Sequence, residues 1–173
     1  LLAVARLGAL YTEAAEEHGV CALPQAHIMG LSVLLCSLIA GARLHWIAKF
    51  DAARVLHAIA EQRATFFVGV PAMYAMMADA GAGETDLSSV KLWASGADAM
   101  PAPLVDLFRA QGCALSTPMG QRLLSAAFAE IYGMVELSGP AILKLHPATP
   151  RAASQVTGPL RAAIAKAGGM LAR

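Results

Sequence analysis

The sequence has few charged residues and almost no net charge, and both shortages exclude whole classes of protein. Only 14% of the 173 residues are charged, and 13 basic residues against 12 acidic ones leave a formal charge of +1. A nucleic-acid-binding domain concentrates basic residues, so we expect no nucleic-acid partner. A disordered chain combines few apolar residues with a large net charge, whereas 57% of these residues are hydrophobic.

Cysteine is also scarce. The three cysteines, Cys21, Cys36 and Cys113, lie far apart and form no CxxC or Cys/His pattern with metal-ligand spacing. The sequence therefore predicts neither a zinc site nor a disulfide framework, and it favours a reducing, cytoplasmic setting. The first residues of the chain lack the basic region and cleavage site of a secretory signal.

A long, uninterrupted hydrophobic run is missing as well. Residues 19–42 carry no acidic or basic charge, but this stretch contains Pro24, Gln25 and His27. Its clean apolar part, 28–42, is shorter than the ~20 residues that a membrane-spanning helix needs. We therefore expect a buried core helix there, with a membrane-inserted segment as the alternative.

Capping and turn residues divide the chain into alternating helices and strands. Helices are predicted over 1–18, 28–40, 52–62, 71–80 and 101–110, and strands over 20–23, 43–47, 65–70, 90–94 and 126–131. No hairpin dipeptide separates the strands, so we expect crossover connections and a mostly parallel, doubly wound α/β sheet with helices on both faces. Residues 1–146 are expected to form a partial domain, and the Ala/Pro/Gly-rich residues 147–173 a separate, weakly specified tail.

In such a sheet, ligands bind beyond the carboxyl ends of the strands. Small residues at Gly96 and Ala97 let a flat ligand approach the backbone. Tyr132 can stack on a base, and Glu136 can hold a hard cation. Together these residues indicate a nucleotide site with magnesium. Taken singly, Gly96 and Ala97 are commoner in an ordinary turn, Tyr132 is as common at the edge of a core, and Glu136 is commoner as a solvated side chain. His27 alone is commoner as a helix-start residue than as a catalyst.

Four ordered blocks resemble the adenylate-forming enzymes, specifically the acyl-CoA synthetases (fatty acid–CoA ligases) of the AMP-binding family. The first is LPQAHIMGL, similar to the family's LPLFHxxGL, and the second is FDAARVLHAIAEQRATFFVGVPAMY, similar to FDPxxxLxxIxxxxVTxxxGVPxMY. The third is DLSSVKLWASGADAMP, similar to DLSSLRxxxSGGAPLP, and the fourth is FAEIYGMVE, similar to xxEGYGMTE. They span residues 22–136, which is only a middle portion of such an enzyme.

The resemblance implies ATP-dependent activation of a long- or medium-chain fatty acid to an acyl adenylate and then to a coenzyme A thioester. It implies ATP, Mg²⁺ and coenzyme A as cofactors or co-substrates, and peripheral association with membranes as a further expectation. The nucleotide-binding residues it implies are Asp98, Ala99, Tyr132, Gly133, Met134 and Val135. The acyl-binding residues it implies are His27, Val70, Gly96, Ala97 and Ile131. Glu136 is implied as the metal ligand, and with His27 as a catalytic residue.

The chain also departs from the family pattern. Val135 stands where the family has a threonine, Ile131 where it has a glycine, and Ala26 where an aromatic residue precedes the histidine. No TSGTTGxPKG-like phosphate loop is present, nor the downstream TGD aspartate or a C-terminal domain with its lysine. We therefore expect an incomplete and inactive portion of a ligase, whose missing remainder would cover its apolar surface. The alternative is a non-catalytic remnant or binding module that retains part of the pocket.

Overall fold

A computed structural model describes residues 17–117, 119–134, 136 and 139–151. Nearly all of the helix predicted over 1–18 lies outside these residues, as do Val135 and residues 152–173 of the predicted tail. The one difference visible at this end is that His18 begins a strand and does not end a helix.

The described strands are β1 (His18–Cys21), β2 (Arg43–Trp46), β3 (Phe66–Gly69), β4 (Leu92–Gly96), β5 (Cys113–Ser116), β6 (Arg122–Ser125), β7 (Ala127–Met134) and β8 (Gly139–His146). Six of them form one sheet in the order β2-β1-β3-β4-β7-β8. The first five in that order are parallel, and β8 pairs antiparallel with β7. Strands β5 and β6 form a separate antiparallel pair. The mostly parallel, doubly wound α/β fold is confirmed.

The helices are α1 (Ile28–Ala40), α2 (Ala52–Glu61), α3 (Pro71–Asp79) and α4 (Ala102–Gln111). Their boundaries follow local signals. Asp51 begins α2 because its carboxylate accepts a hydrogen bond from Arg54 N at 2.8 Å. Gly41 ends α1 because it adopts φ 71°, a left-handed conformation that costs glycine little.

Two features of the sheet differ from the sequence-based expectations. No hairpin was expected, yet β5 and β6 follow each other and pair antiparallel, and β7 continues to Met134 and returns as β8 through a short link. The link contains no Asn-Gly or Asp-Gly signal, and cross-strand pairing supplies the specificity instead. Gly19, expected to end a helix, lies inside β1, where the ring of Phe66 on β3 occupies the space that a side chain would need.

The two faces of the sheet are covered differently. Alternate residues of a strand point to opposite faces, and Phe67, Trp93 and Phe128 share the face that we call the aromatic face. There the ring of Tyr74 on α3 lies 6.1 Å from Trp93 and 4.9 Å from Phe108 on α4, centroid to centroid. Helices α2, α3 and α4 contribute their buried side chains to this core.

The opposite face, which we call the α1 face, carries α1 alone among the described helices. Only Gly30 and Ser37 of α1 are buried, whereas Leu38 is 67% and Ile39 55% exposed. The expectation of a buried core helix is therefore wrong for the described part of the chain, because nothing in it covers the outer side of α1. None of the described helices is long and apolar enough to span a membrane.

The described beginning of the predicted tail contacts the domain. Thr149 N donates to Ser125 Oγ at 3.0 Å, and Arg151 N donates to the carbonyl of Leu123 at 2.9 Å. The Arg151 guanidinium also donates to the Gly112 carbonyl at 2.6 Å, at the carboxyl end of α4. Residues 147–151 thus pack against β6 and α4.

Candidate functional site

The carboxyl ends of the central strands bring three of the predicted site residues, Val70, Gly96 and Ile131, to one edge of the sheet. Gly96, the last residue of β4, pairs with Ile131 of β7, and Gly69 of β3 pairs with Ser95. Val70 follows β3 directly and has an extended backbone. Because side chains alternate along a strand, the positions of Val70, Gly96 and Ile131 fall on the α1 face.

His27 is the N-cap of α1. Its ring Nδ1 accepts a hydrogen bond from Met29 N at 3.3 Å. The backbone N–H of His27 donates to the carbonyl of Pro24 at 3.1 Å. Because Nδ1 accepts this bond, Nε2 is the ring nitrogen left for another partner, and the residue as a whole is exposed. The helix-start explanation of His27 is therefore confirmed, and its catalytic role stays a prediction.

Gly30 and Met29, both in the block LPQAHIMGL, fix the position of the segment that contains His27. Sequence reasoning singled out neither of them. A Cβ on Gly30 would overlap the carbonyl of Pro24, so only glycine lets the first turn of α1 pack on the loop that holds His27. A Cβ on Gly96 would lie 3.2 Å from Met29 Cε and 3.0 Å from the Ile131 carbonyl oxygen. Met29 therefore lies directly over the end of β4, a contact that no local pattern predicts.

Strand β4 is followed by a strained, exposed turn. Ala97 has φ 73°, in the left-handed region that alanine rarely adopts, and it stands where the quoted family block has its second glycine. The Asp98 carboxylate accepts a hydrogen bond from the next backbone amide, Ala99 N, at 2.7 Å. Ala97, Asp98 and Ala99 are all exposed beyond the strand end.

The last predicted segment lies within β7 and not beyond it. Tyr132 is 57% exposed and pairs with Ile142 of β8, while Gly133 and Met134 complete the strand. Ile131 lies on the α1 face, so its neighbour Tyr132 lies on the aromatic face. The side chains of Ile131, predicted to contact the acyl group, and Tyr132, predicted to stack on the base, thus lie on opposite faces of β7.

An ion cluster that the sequence did not reveal lies one residue before Ile131. Glu130 Oε1 accepts hydrogen bonds from Lys144 Nζ at 2.8 Å and from His146 Nε2 at 2.7 Å. These two bonds hold the pKa of the Glu130 carboxyl below its usual range, the bond from Lys144 contributing most. The pairing depends on β8, which explains why a reading of local patterns missed it.

Glu136 is the remaining candidate. It is exposed in the link between β7 and β8. The described residues contain no group of three or more His, Cys, Asp or Glu side chains that could hold a metal. Mg²⁺ is commonly bound by one or two carboxylates together with water and substrate phosphates, so Glu136 fits Mg²⁺ only as a partner of a bound nucleotide.

A shallow open pocket elsewhere on the molecule contains none of these residues. It lies between α2 and the end of α3 and is lined by Leu56, His57 and Thr85 among others. The sheet edge therefore remains the place where the candidate residues converge.

The chain is similar in sequence to one family of enzymes. The sequence model of the family described as AMP-binding enzyme matches residues 2–167. The chain is 36% identical over 136 residues to 4-coumarate–CoA ligase 2 of Oryza sativa subsp. japonica, which covers 78% of this chain. It spans only 22% of the length of that relative.

Solved structures show the same fold. O-succinylbenzoate coenzyme A synthetase from Bacillus subtilis, in complex with ATP and magnesium ion, has a TM-score of 0.62 at 26% identity. The match covers 83% of this chain and 27% of that chain. A Mycobacterium tuberculosis fatty acyl CoA synthetase has a TM-score of 0.63 at 20% identity over 78% of this chain and 26% of that one, which is a similarity of fold alone.

Proposed function

Since this chain belongs to the AMP-binding enzyme family, we propose that it forms part of an acid–CoA ligase. In the first step, a carboxylate oxygen of the acid attacks the α-phosphorus of ATP, and pyrophosphate leaves. In the second step, the thiol of coenzyme A loses its proton and attacks the acyl carbon, and AMP leaves. Bound Mg²⁺ would neutralise phosphate charge.

One observation carries this proposal: the ends of three neighbouring strands present the candidate residues at a single edge. The backbone of Gly96 lies beside Ile131, and Val70 follows the adjoining strand. Parallel α/β sheets bind ligands at this edge because the loops beyond the strands leave a crevice there. The pocket between α2 and the end of α3 contains none of these residues.

We assign the roles residue by residue. The residues proposed to contact the nucleotide are Asp98, Ala99, Tyr132, Gly133, Met134 and Val135. The residues proposed to contact the acyl group are His27, Val70, Gly96, Ala97 and Ile131. Glu136 is the proposed Mg²⁺ ligand, and with His27 it makes up the proposed catalytic pair.

The proposed acid has an apolar tail. Met29 and Ile131 adjoin the bare backbone of Gly96, and Val70 falls on the same α1 face. None of these three side chains offers a hydrogen-bond donor. A ligand group bound there gains from leaving water and has no charged partner to meet. This apolar lining supports a fatty acid, the substrate class predicted from the sequence, as the proposed acid.

The test is equilibrium binding of a non-hydrolysable acyl-sulfamoyl adenosine to the 173-residue chain. Base–aromatic stacking contributes about 1–3 kcal/mol, so Tyr132→Ala should weaken binding by at least about fivefold. Tyr132→Phe is the matched control, because it keeps the ring and should bind nearly as the parent does. Absence of binding by the parent, or equal binding by Tyr132→Ala, would contradict the assignment.

A second candidate is a non-catalytic module that keeps part of the pocket. The strained Ala97 and the branched Ile131 favour it, since both add side-chain atoms where the resembled blocks have glycine. Pyrophosphate release with a fatty acid, ATP and Mg²⁺ distinguishes the two. We expect little or no release from this chain alone, because it spans about a fifth of its relative, and turnover typical of a whole ligase would contradict that expectation.

A further inference from the structure

The three side chains Glu130, Lys144 and His146 form a cross-strand cluster that the proposed function does not use, and we call it the Glu130 clamp. Lys144 lies directly opposite Glu130, and His146 lies opposite Phe128, two residues away on the same face. Both bonds to the carboxylate are shorter than 2.9 Å. Such short, charge-assisted bonds are stronger than neutral ones.

The clamp sits where β7 loses one of its two neighbours. Up to Ile131, β7 is paired with β4 on one side and with β8 on the other. Strand β4 ends at Gly96, so in the described sheet Tyr132 and Met134 are paired with β8 alone. The position of the proposed nucleotide-binding part of β7 relative to the link therefore depends on the register of β8.

Apolar pairs alone do not set this register. On the α1 face, β8 places Leu143 opposite Ile131 and Leu145 opposite Ala129. A shift of one residue would move these side chains to the other face and would carry Lys144 and His146 to the α1 face, away from Glu130. A shift of two residues keeps every residue on its face and would place Leu145 opposite Ile131, another apolar pair.

The charged pair distinguishes these registers. In one two-residue shift Lys144 would lie opposite Tyr132 and His146 opposite Glu130, so the imidazole would replace the ammonium group as the direct partner of the carboxylate. In the other, Lys144 would lie opposite Phe128 and Glu130 opposite Ile142. Either shift removes the direct opposition of Glu130 and Lys144 that the observed register has. Opposite charges directly across a strand pair stabilise it, and their separation loses that contribution.

A shift of β8 would relocate the link and leave β7 in place, because β4 holds β7 through Ile131. At about 3.4 Å per residue, two residues correspond to roughly 7 Å. Glu136 lies between Met134 and Gly139, which are paired at the strand ends. We propose that the Glu130 clamp selects the β8 register and thereby positions Glu136 relative to Tyr132; the role of Glu136 in this inference rests on the proposed function.

The test compares Lys144→Glu with the charge-swapped double variant Glu130→Lys/Lys144→Glu. Lys49→Glu, an exposed residue outside the sheet edge strands, is the control with the same change in net charge. The first measurement is amide hydrogen exchange of residues 139–146 under conditions where each variant is folded. Lys144→Glu should exchange roughly fivefold faster, while the swap and the control should exchange as the parent does.

The second measurement is the affinity for ATP with Mg²⁺ relative to that with a chelator. A purely structural defect lowers both affinities together, whereas a displaced Glu136 lowers only the gain that Mg²⁺ provides. We expect Lys144→Glu to lose that gain and the swap to regain it.

Unchanged exchange in Lys144→Glu would overturn the register assignment. If Lys144→Glu exchanges faster but Mg²⁺ raises its affinity for ATP as much as it does in the parent, the positioning of Glu136 is overturned while the proposed function stands. Failure of the parent to bind ATP under either condition would overturn the proposed function and the positioning role with it, and the exchange data would still decide the register.

Discussion

Ala97 adopts a left-handed backbone conformation at the proposed site, and its replacement by glycine should stabilise the protein. The φ of 73° brings the alanine Cβ toward a backbone oxygen, a contact that glycine lacks. The residue is exposed, so the substitution removes little packing. Ala97→Gly therefore isolates the cost of the backbone conformation.

The expected change in the free energy of unfolding is the difference of two contributions. The left-handed conformation costs a non-glycine residue roughly 1–2 kcal/mol. Glycine makes the unfolded chain more flexible, which offsets about 0.4–1 kcal/mol of that gain. The expected net stabilisation is about 0.5–1 kcal/mol, which for a chain of this size raises the melting temperature by roughly 1–4 °C.

The assay is urea denaturation followed by far-ultraviolet circular dichroism. Arg63, with φ 47° and an exposed side chain away from the site, offers a matched variant, and Arg63→Gly should raise the midpoint similarly. Ala75 lies exposed within α3, so Ala75→Gly should lower stability by about 1 kcal/mol. A midpoint that falls for Ala97→Gly while rising for Arg63→Gly would refute the argument from strain.

Three further predictions concern other parts of the molecule. The folded pKa of Glu130 is lowered, so its stabilising contribution is complete above the ordinary value of 4.5 and is lost as the pH falls through the lowered value. Glu130→Gln should remove that part of the acid dependence in denaturation series between pH 6 and about pH 3. Gly112→Ala should destabilise by about 1–3 kcal/mol in the same assay, because its Cβ would lie 2.6 Å from Ala126 Cβ; an unchanged midpoint would contradict the close packing. Lys91→Met should lower the free energy of unfolding by about 2 kcal/mol at neutral pH, since it leaves the Glu17 carboxylate, 2% exposed, without its 2.7 Å partner. Lys91→Arg should retain most of the parent's stability, because it keeps a cation at this position.

Local signals were sufficient for the helices. The prediction over 28–40 coincides with α1, and that over 71–80 differs from α3 by one residue. Proline at a first helical turn and a carboxylate at an N-cap act within one turn of the chain, so the neighbouring residues contain the necessary information.

The pairing of strands across the sheet was harder to predict from the sequence. The return strand β8 was missed because its link to β7 has no turn dipeptide and its residues mix Pro140, Lys144 and apolar side chains. The left-handed Ala97 was missed for a related reason, since alanine disfavours that conformation and only the surrounding structure imposes it.

The sequence by itself determined where α1 to α4 lie, and its ordered blocks indicated the family. Only the tertiary structure decided which strand ends are neighbours, that Met29 covers Gly96, and that Glu130 meets Lys144 and His146. The physical reason is that helices and caps depend on contacts within a few residues. Strand order and register depend instead on burying both faces of a sheet, to which segments distant in the chain contribute together.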